Sequence, residues 1–225
     1  MRVIAVIPAY REAGRIGAVV RGLLPQVAAV VVVDDGSPDE TAAEAADAGA
    51  IVLRHALNRD QGAALRTGNE AALRLGAEVV VHFDADGQHD SADLPVLLYP
   101  IARGEADVVL GSRFLGVSSV GMPLTRRLFL RLARLMSRVL LGTPPGLTDP
   151  QSGLRAMTAD AVRRLDFRQD RKAHCSEILM LLAKSGLRWR EVPIRVIYTK
   201  DTLSKGQKTL DAFKVFWQII VGSLE

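Results

Sequence analysis

The sequence predicts an α/β fold in which a mainly parallel central sheet is flanked by helices. Three observations lead there. Residues 1 to 111 alternate short apolar runs with helix-periodic segments, the rhythm of strand, helix, strand, helix. The apolar runs lack polar alternation, as strands do when helices cover both faces of their sheet. The chain has 225 residues, 48% of them apolar, which is enough to bury a substantial core as one large domain.

The elements follow in order. Val3 to Ile7 reads as a buried strand, and the stretch before Pro8 is too short for a signal peptide. A helix is expected over Glu12 to Leu24, a strand over Val30 to Val33 and a helix over Asp39 to Ala48. Ile51 to Arg54, Val79 to Phe83 and Val108 to Gly111 are the next strands, separated by helices over about Gln61 to Leu75 and Ala92 to Arg103. After Gly111 the rhythm breaks. Leu115 to Pro123 contains Gly and Ser without periodicity and is expected to be a loop. A basic helix over about Thr125 to Leu141 precedes the punctuated run Gly142-Thr143-Pro144-Pro145-Gly146. Helices near Ala159 to Leu165 and His174 to Ser185, a strand near Trp189 to Ile197 and a last helix from about Lys208 to Leu224 complete the chain.

Charge and composition narrow the function classes. The net charge is +4, and arginines cluster between Arg113 and Arg138 and between Arg155 and Arg195, which suits an anionic partner. Nucleic acid is not expected, because the basic segments lack interleaved aromatics and no DNA- or RNA-binding motif occurs. Phosphorylated ligands or an anionic membrane surface account for the same charge. Cys175 is the chain's single cysteine, so no internal disulfide framework exists, and its apolar-periodic surroundings point to packing. No segment has the roughly 20 uninterrupted apolar residues that span a bilayer. The nearest, Ala212 to Val221, carries Lys214 and Gln218. A cytoplasmic protein, peripheral at the cytoplasmic membrane face, is therefore expected.

In parallel sheets ligands collect at the carboxyl ends of the strands, where Pro8-Ala9-Tyr10, Asp34-Asp35-Gly36-Ser37 and Asp84-Ala85-Asp86 all fall. Asp84 and Asp86 follow the apolar Val79-Val80-Val81. Strand alternation would turn both carboxylates the same way, toward one hard cation such as Mg²⁺ or Mn²⁺ shared with a substrate's phosphates.

Six motifs in order resemble those of the family 2 glycosyltransferases of the GT-A fold, and within them the dolichyl- or polyprenyl-phosphate sugar synthases. They are Val6-Ile7-Pro8-Ala9-Tyr10-Arg11-Glu12, Val31 to Asp39, Asp84-Ala85-Asp86-Gly87-Gln88-His89, Gly111-Ser112-Arg113, Gln151-Ser152-Gly153-Leu154-Arg155-Ala156 and Ser204-Lys205-Gly206. The resemblance covers nearly the whole chain. It implies one glycosyltransferase domain over residues 1–225, with a nucleotide-binding half over 1–111 and an acceptor-side half over 112–225 that ends in an amphipathic helix. It implies that Pro8, Tyr10, Glu12, Val33 and Asp35 hold the nucleotide of a sugar donor, with Ala85 and Lys205 also on the donor. Asp84, Asp86 and Gln88 match the metal site, and Arg113 matches an arginine that contacts phosphate, so Asp86 and Arg113 are the catalytic candidates. Arg126, Arg127 and Ser137 lie where relatives bind the acceptor's phosphate.

The chain also departs from the pattern. Thr199, with Lys200 beside it, stands where relatives of the eukaryotic type carry an arginine. Glu177 matches the family's acidic helix position and is a candidate base, and Arg155 is expected either to serve the site or to lock its own turn. The implied reaction is inverting, metal-dependent transfer of a hexose from GDP-mannose or UDP-glucose to a polyprenyl or dolichyl phosphate. The alternative is a hydroxyl acceptor on a sugar, glycolipid or small molecule. Phe213, Phe216, Trp217, Ile220 and Leu224 space an apolar face along the last helix, suited to a membrane surface, a homodimer interface or the core.

Overall fold

The computed structural model describes residues 1–115, 143–144, 146–171 and 173–196. Strand β1 (Val3–Ala9) leads to helix α1 (Ile16–Leu23), β2 (Ala29–Asp34) to α2 (Thr41–Asp47), β3 (Ile51–Arg54) to α3 (Asp60–Arg74) and β4 (Val79–His82) to α4 (Leu94–Ala102). Strands β5 (Val108–Ser112) and β6 (Arg155–Thr158), helices α5 (Ala159–Arg164) and α6 (His174–Ser185) and strand β7 (Trp189–Pro193) follow.

Among the described residues these strands form one sheet in the order β3-β2-β1-β4-β6-β5-β7. The pairs β1–β2, β1–β4, β2–β3 and β5–β7 are parallel, whereas β6 runs antiparallel to both β4 and β5. Strand β6 was not anticipated from the sequence. Its four residues, Arg-Ala-Met-Thr, begin with a charge and are too few to show a period.

Successive strand residues serve opposite faces. Val3, Ala5 and Ile7 pack with Ile16, Val20 and Leu23 of α1 and with Leu94 and Leu97 of α4. Ile4 and Val6 pack with Ala64, Leu65 and Ala72 of α3, and the same layer continues to Val162 of α5 and Ile178 and Leu182 of α6. Two cores, one per face, explain why the strands are apolar throughout.

Several boundaries differ from expectation for local reasons. Helix α1 starts at Ile16 rather than Glu12 because Arg11 and Gly14 adopt positive φ (57° and 81°), which breaks the helical path. The Ala92 to Arg103 segment opens as a 3-10 turn over Ser91–Asp93, capped by Asp90 Oδ1 accepting from Ala92 N at 2.9 Å, before α4 begins. Strand β7 stops at Pro193, and Val196 rejoins only as an isolated antiparallel bridge to His89. Among the described residues no helix is long and apolar enough to cross a membrane.

Helix α3 lies directly on β1, because Gly68 has no side chain there: a Cβ at this position would overlap Val6 Cγ1. Gly68→Ala gains about 1 kcal/mol of helix propensity and loses about 1–3 kcal/mol to overpacking. A net fall in the melting temperature of a few degrees is expected, read by circular dichroism. An unchanged or raised midpoint would show that α3 can lift off the sheet at no cost.

Candidate active site

The parallel strands β1, β2 and β4 end at one edge, with Pro8 beside Val33 and Ala9 beside Asp34 in register. Three hydrogen bonds dock the β1–α1 connection on the β2–α2 loop: Asp35 N to Ala9 O at 2.8 Å, Arg11 N to Ser37 Oγ at 3.0 Å and Glu12 N to Thr41 Oγ1 at 2.9 Å. Val33 is buried and Pro8 half-buried, while Tyr10 is exposed with the Arg11 guanidinium 5.2 Å from its ring centroid. Glu12 pairs with Arg15 at 3.1 Å.

The two neighbouring aspartates do different things. Asp34 Oδ1 accepts from Ser37 N at 3.1 Å and Oδ2 pairs with Arg54 Nε at 3.1 Å, so this carboxylate builds its own turn. Asp35, 3% exposed, accepts from His55 Nδ1 at 2.7 Å and from Arg59 N at 3.0 Å, both on Oδ1. His55 Nε2 in turn meets Thr67 Oγ1 at 2.9 Å. His55 and Arg59 were not singled out in the sequence. Their signal was positional, since both follow β3, which ends at the same sheet edge.

Strand β4 ends at His82, so Asp84 and Asp86 sit on the following turn, and strand alternation is not what aligns them. Gly87, at φ +73°, makes the turn, and Asp86 Oδ1 accepts from Gln88 N at 3.0 Å. Ala85 is buried between the two aspartates in sequence. Asp84 Oδ2 meets His89 Nε2 at 3.1 Å and Oδ1 accepts from Gln61 Nε2 at 3.3 Å. Burial would raise the Asp84 carboxyl, but the His89 hydrogen bond and nearby positive charge hold it below its ordinary value. Burial and the Asp84 charge both push Asp86 up. A site that keeps two carboxylates in electrostatic contact, with one of them reluctant to ionise, suits a cation. Among the described residues no group of three His, Cys, Asp or Glu forms a metal cage. Two carboxylates are nonetheless the usual protein share for Mg²⁺, whose remaining ligands are phosphate oxygens and water.

The reversed strand β6 brings a second set of residues to this edge. A Cβ at Gly153 would lie 2.7 Å from Asp84 Oδ2, so only glycine lets the turn before β6 approach that carboxylate. Arg155, 2% exposed, locks the turn by donating from Nη2 to Ser152 O at 3.2 Å and from Nε to Gly153 O at 3.3 Å. Its Nη2 also lies 3.3 Å from Cys175 Sγ, and His174 Nε2 lies 3.4 Å from that sulfur. Burial alone would raise the Cys175 thiol, but the His174 and Arg155 charges outweigh it and lower the thiol to about 6. Packing was the sequence's expectation for this half-buried cysteine; the structure adds a charged setting.

Arg113 is engaged by a carboxylate. Its Nε and Nη2 donate to the two oxygens of Asp149, each at 2.6 Å, and its backbone N donates to Asp149 Oδ2 at 3.1 Å. Glu191 holds the same segment, accepting from Thr148 N at 2.8 Å and Asp149 N at 3.0 Å. The arginine fork expected on phosphate would have to exchange Asp149 to reach one. Glu177 is similarly committed: its carboxylate accepts from Arg168 N at 2.9 and 3.0 Å and from Gln169 N at 2.8 Å. Lys205, Arg126, Arg127, Ser137, Thr199, Lys200 and the apolar positions from Phe213 to Leu224 lie outside the described residues.

Comparison with known proteins decides the family. The model of Glycosyl transferase family 2 matches residues 4–165. The chain belongs to glycosyl transferase family 2. This glycosyltransferase is 33% identical to a UDP-N-acetylglucosamine–dolichyl-phosphate N-acetylglucosaminyltransferase of Methanococcus voltae, over 96% of this chain and 94% of that protein. It is 34% identical to an undecaprenyl-phosphate mannosyltransferase of Micrococcus luteus, over 88% of this chain and 84% of that one. Among solved structures it superimposes on glucosyl-3-phosphoglycerate synthase from Mycobacterium tuberculosis, in complex with Mn²⁺, UDP and phosphoglyceric acid. The TM-score is 0.73 at 20% identity, covering 97% of this chain and 76% of that one, which shows the GT-A fold.

Two outcomes follow from the geometry of the glycosyltransferase. Because Glu177 caps backbone amides, Glu177→Gln should lower stability by about 1 kcal/mol while leaving turnover within about threefold; loss of turnover in a protein with an unchanged melting curve would make Glu177 a base. Cys175 should react with iodoacetamide at a rate that is half-maximal near pH 6, since the thiolate is the nucleophile and the thiol sits at about 6. A midpoint above pH 8 would show that His174 and Arg155 do not act on it.

Proposed function

We propose that this glycosyltransferase transfers a hexose from a nucleotide-sugar to a polyprenyl or dolichyl phosphate by a single inverting displacement that depends on Mg²⁺ or Mn²⁺. The relatives support the acceptor class, since one is named for dolichyl phosphate and another for undecaprenyl phosphate. The observation that carries the reading is the commitment of Glu177, the candidate base, to the amides of Arg168 and Gln169. A hydroxyl acceptor needs a base to take its proton, whereas a lipid phosphate is already anionic at neutral pH and needs alignment and charge screening.

Each part of the site has a role in this reading. Pro8, Tyr10, Glu12, Val33 and Asp35 form the nucleotide wall, and Asp35 keeps that wall in shape through His55 and Arg59. Asp84 and Asp86, with Gln88, would hold the cation, which when bound offsets charge on the departing diphosphate. Arg113 fixes the segment carrying Thr148 and Asp149 at the end of β5, and Arg155 fixes the Ser152-Gly153 turn against Asp84. Residues 1–111 are the nucleotide-binding half, and residues 112–225, apart from Lys205, are the acceptor-side half. Lys205 is assigned to the donor, and Arg126, Arg127 and Ser137 to the acceptor phosphate. The arginine-rich sequence up to Arg138 and the apolar spacing from Phe213 to Leu224 support peripheral contact with the cytoplasmic membrane face.

The deciding assay offers labelled GDP-mannose, UDP-glucose and UDP-N-acetylglucosamine with a polyprenyl phosphate, in Mg²⁺, in Mn²⁺ and in EDTA. Lipid-phosphate sugar should form from one donor only with metal present, and Asp86→Ala should lower its rate by about 100-fold or more. Product on a hydroxyl acceptor and none on lipid phosphate would overturn the acceptor assignment; full activity in EDTA would overturn the cation's part.

A further inference from the structure

Asp84 is held by a different element at each oxygen: His89, beyond the turn, meets Oδ2, and Gln61, on the first turn of α3, donates to Oδ1. Gln61 is not free to drift. Two residues before it, Arg59 N donates to both oxygens of Asp35 at 3.0 and 3.1 Å. One residue before it, Asp60 takes a left-handed φ of +71° and pairs with Arg171 at 3.4 Å. One residue after it, Gly62 N donates to Asp170 O at 2.6 Å, and a Cβ there would overlap Gln169 O. The start of α3 is thus pinned on both sides of Gln61, and residues 59–61 form a short, taut link from the Asp35 carboxylate to the Asp84 carboxylate.

We propose that Gln61 is a positioning residue that aims Asp84 for the cation and couples occupancy of the nucleotide wall at Asp35 to cation binding at Asp84. The inference rests on the reading of Asp35 and Asp84 given under the proposed function. The choice of side chain fits the task. A neutral amide holds a carboxylate by donating a hydrogen bond while leaving its negative charge for the metal, whereas a lysine or arginine in its place would compete with the cation. Any nucleotide that firms the Asp35–Arg59 contact also firms Gln61, and by linkage a bound cation firms the nucleotide wall to the same degree.

The test measures Mn²⁺ binding to the full chain by electron paramagnetic resonance, without nucleotide and with UDP or GDP, alongside steady-state kinetics. In the wild type, nucleotide should tighten Mn²⁺ by about fivefold or more. Gln61→Leu, which removes the donor at similar volume, should weaken Mn²⁺ binding by about tenfold and bring the nucleotide effect close to one. The metal concentration for half-maximal rate should rise while kcat at saturating Mn²⁺ stays within about threefold. Gln61→Met, which keeps the unbranched shape, should behave in the same way, and both variants should melt like the wild type. Unchanged Mn²⁺ affinity with an unchanged nucleotide effect would overturn the proposal, as would loss of kcat with both intact. A wild-type chain that takes up no Mn²⁺ with or without nucleotide would instead bring down the cation reading of Asp84, and the coupling with it.

Discussion

The structure is organised around a concentration of negative charge that a parallel sheet would not tolerate unassisted. Asp34, Asp35, Asp84 and Asp86 gather where β1, β2 and β4 end, and Asp34 and Asp35 are almost wholly buried. Removing a carboxylate from water is costly unless it is paired or hydrogen-bonded. Each of the first three has its own compensation: Arg54 and the Ser37 amide for Asp34, His55 and the Arg59 amide for Asp35, His89 and Gln61 for Asp84. For Asp86 the Gln88 amide and the His89 charge do not offset burial and the Asp84 and Glu12 charges, and its carboxyl is raised accordingly. The local surplus of charge sits at Asp86, where a cation has the most to gain.

Positive charge on the far side of the site is arranged with equal economy. Arg155 stands on β6 directly beside His82 in register, and both are buried. His82 is held well below its ordinary value by burial and by the neighbouring Arg155 and His174 charges, so it stays neutral and donates from Nε2 to Asn69 Oδ1 at 2.7 Å. The Arg155 guanidinium is met by the Cys175 sulfur and the carbonyls of Ser152 and Gly153. The Ser-Gly turn that touches Asp84 therefore owes its shape to a guanidinium buried behind it.

Much of this was legible in the sequence. The apolar runs of β1 to β5 stand out because both faces of the sheet are covered, and the strand-end motifs stand out because parallel connectivity sends those ends to one edge. What was not legible depends on tertiary contact. Strand β6 is four residues long and opens with an arginine whose burial only the fold explains. Gln61 reads as an ordinary polar residue of an amphipathic helix until α3 is set against Asp84. Arg113 and Glu177 carried motif resemblance, yet their partners, Asp149 and the Arg168–Gln169 amides, are settled by loops whose path no local pattern encodes.

The reversal of β6 has a topological result. A parallel strand delivers to the edge the residues that follow it, but an antiparallel strand delivers those that precede it. The chain therefore leaves the reactive edge after Ser112 and comes back to that same edge at Arg155, with β5 and β6 hydrogen-bonded side by side. The connection between them, residues 113 to 154, begins and ends beside that pairing. Its ends stay fixed whatever its length, and loop-closure entropy grows by only about 0.6 kcal/mol for each doubling of length. A change of length between Phe114 and Thr143 therefore costs little in closure entropy, whereas Arg113, Asp149 and Gly153, near the two ends, are held by their contacts with each other and with Asp84.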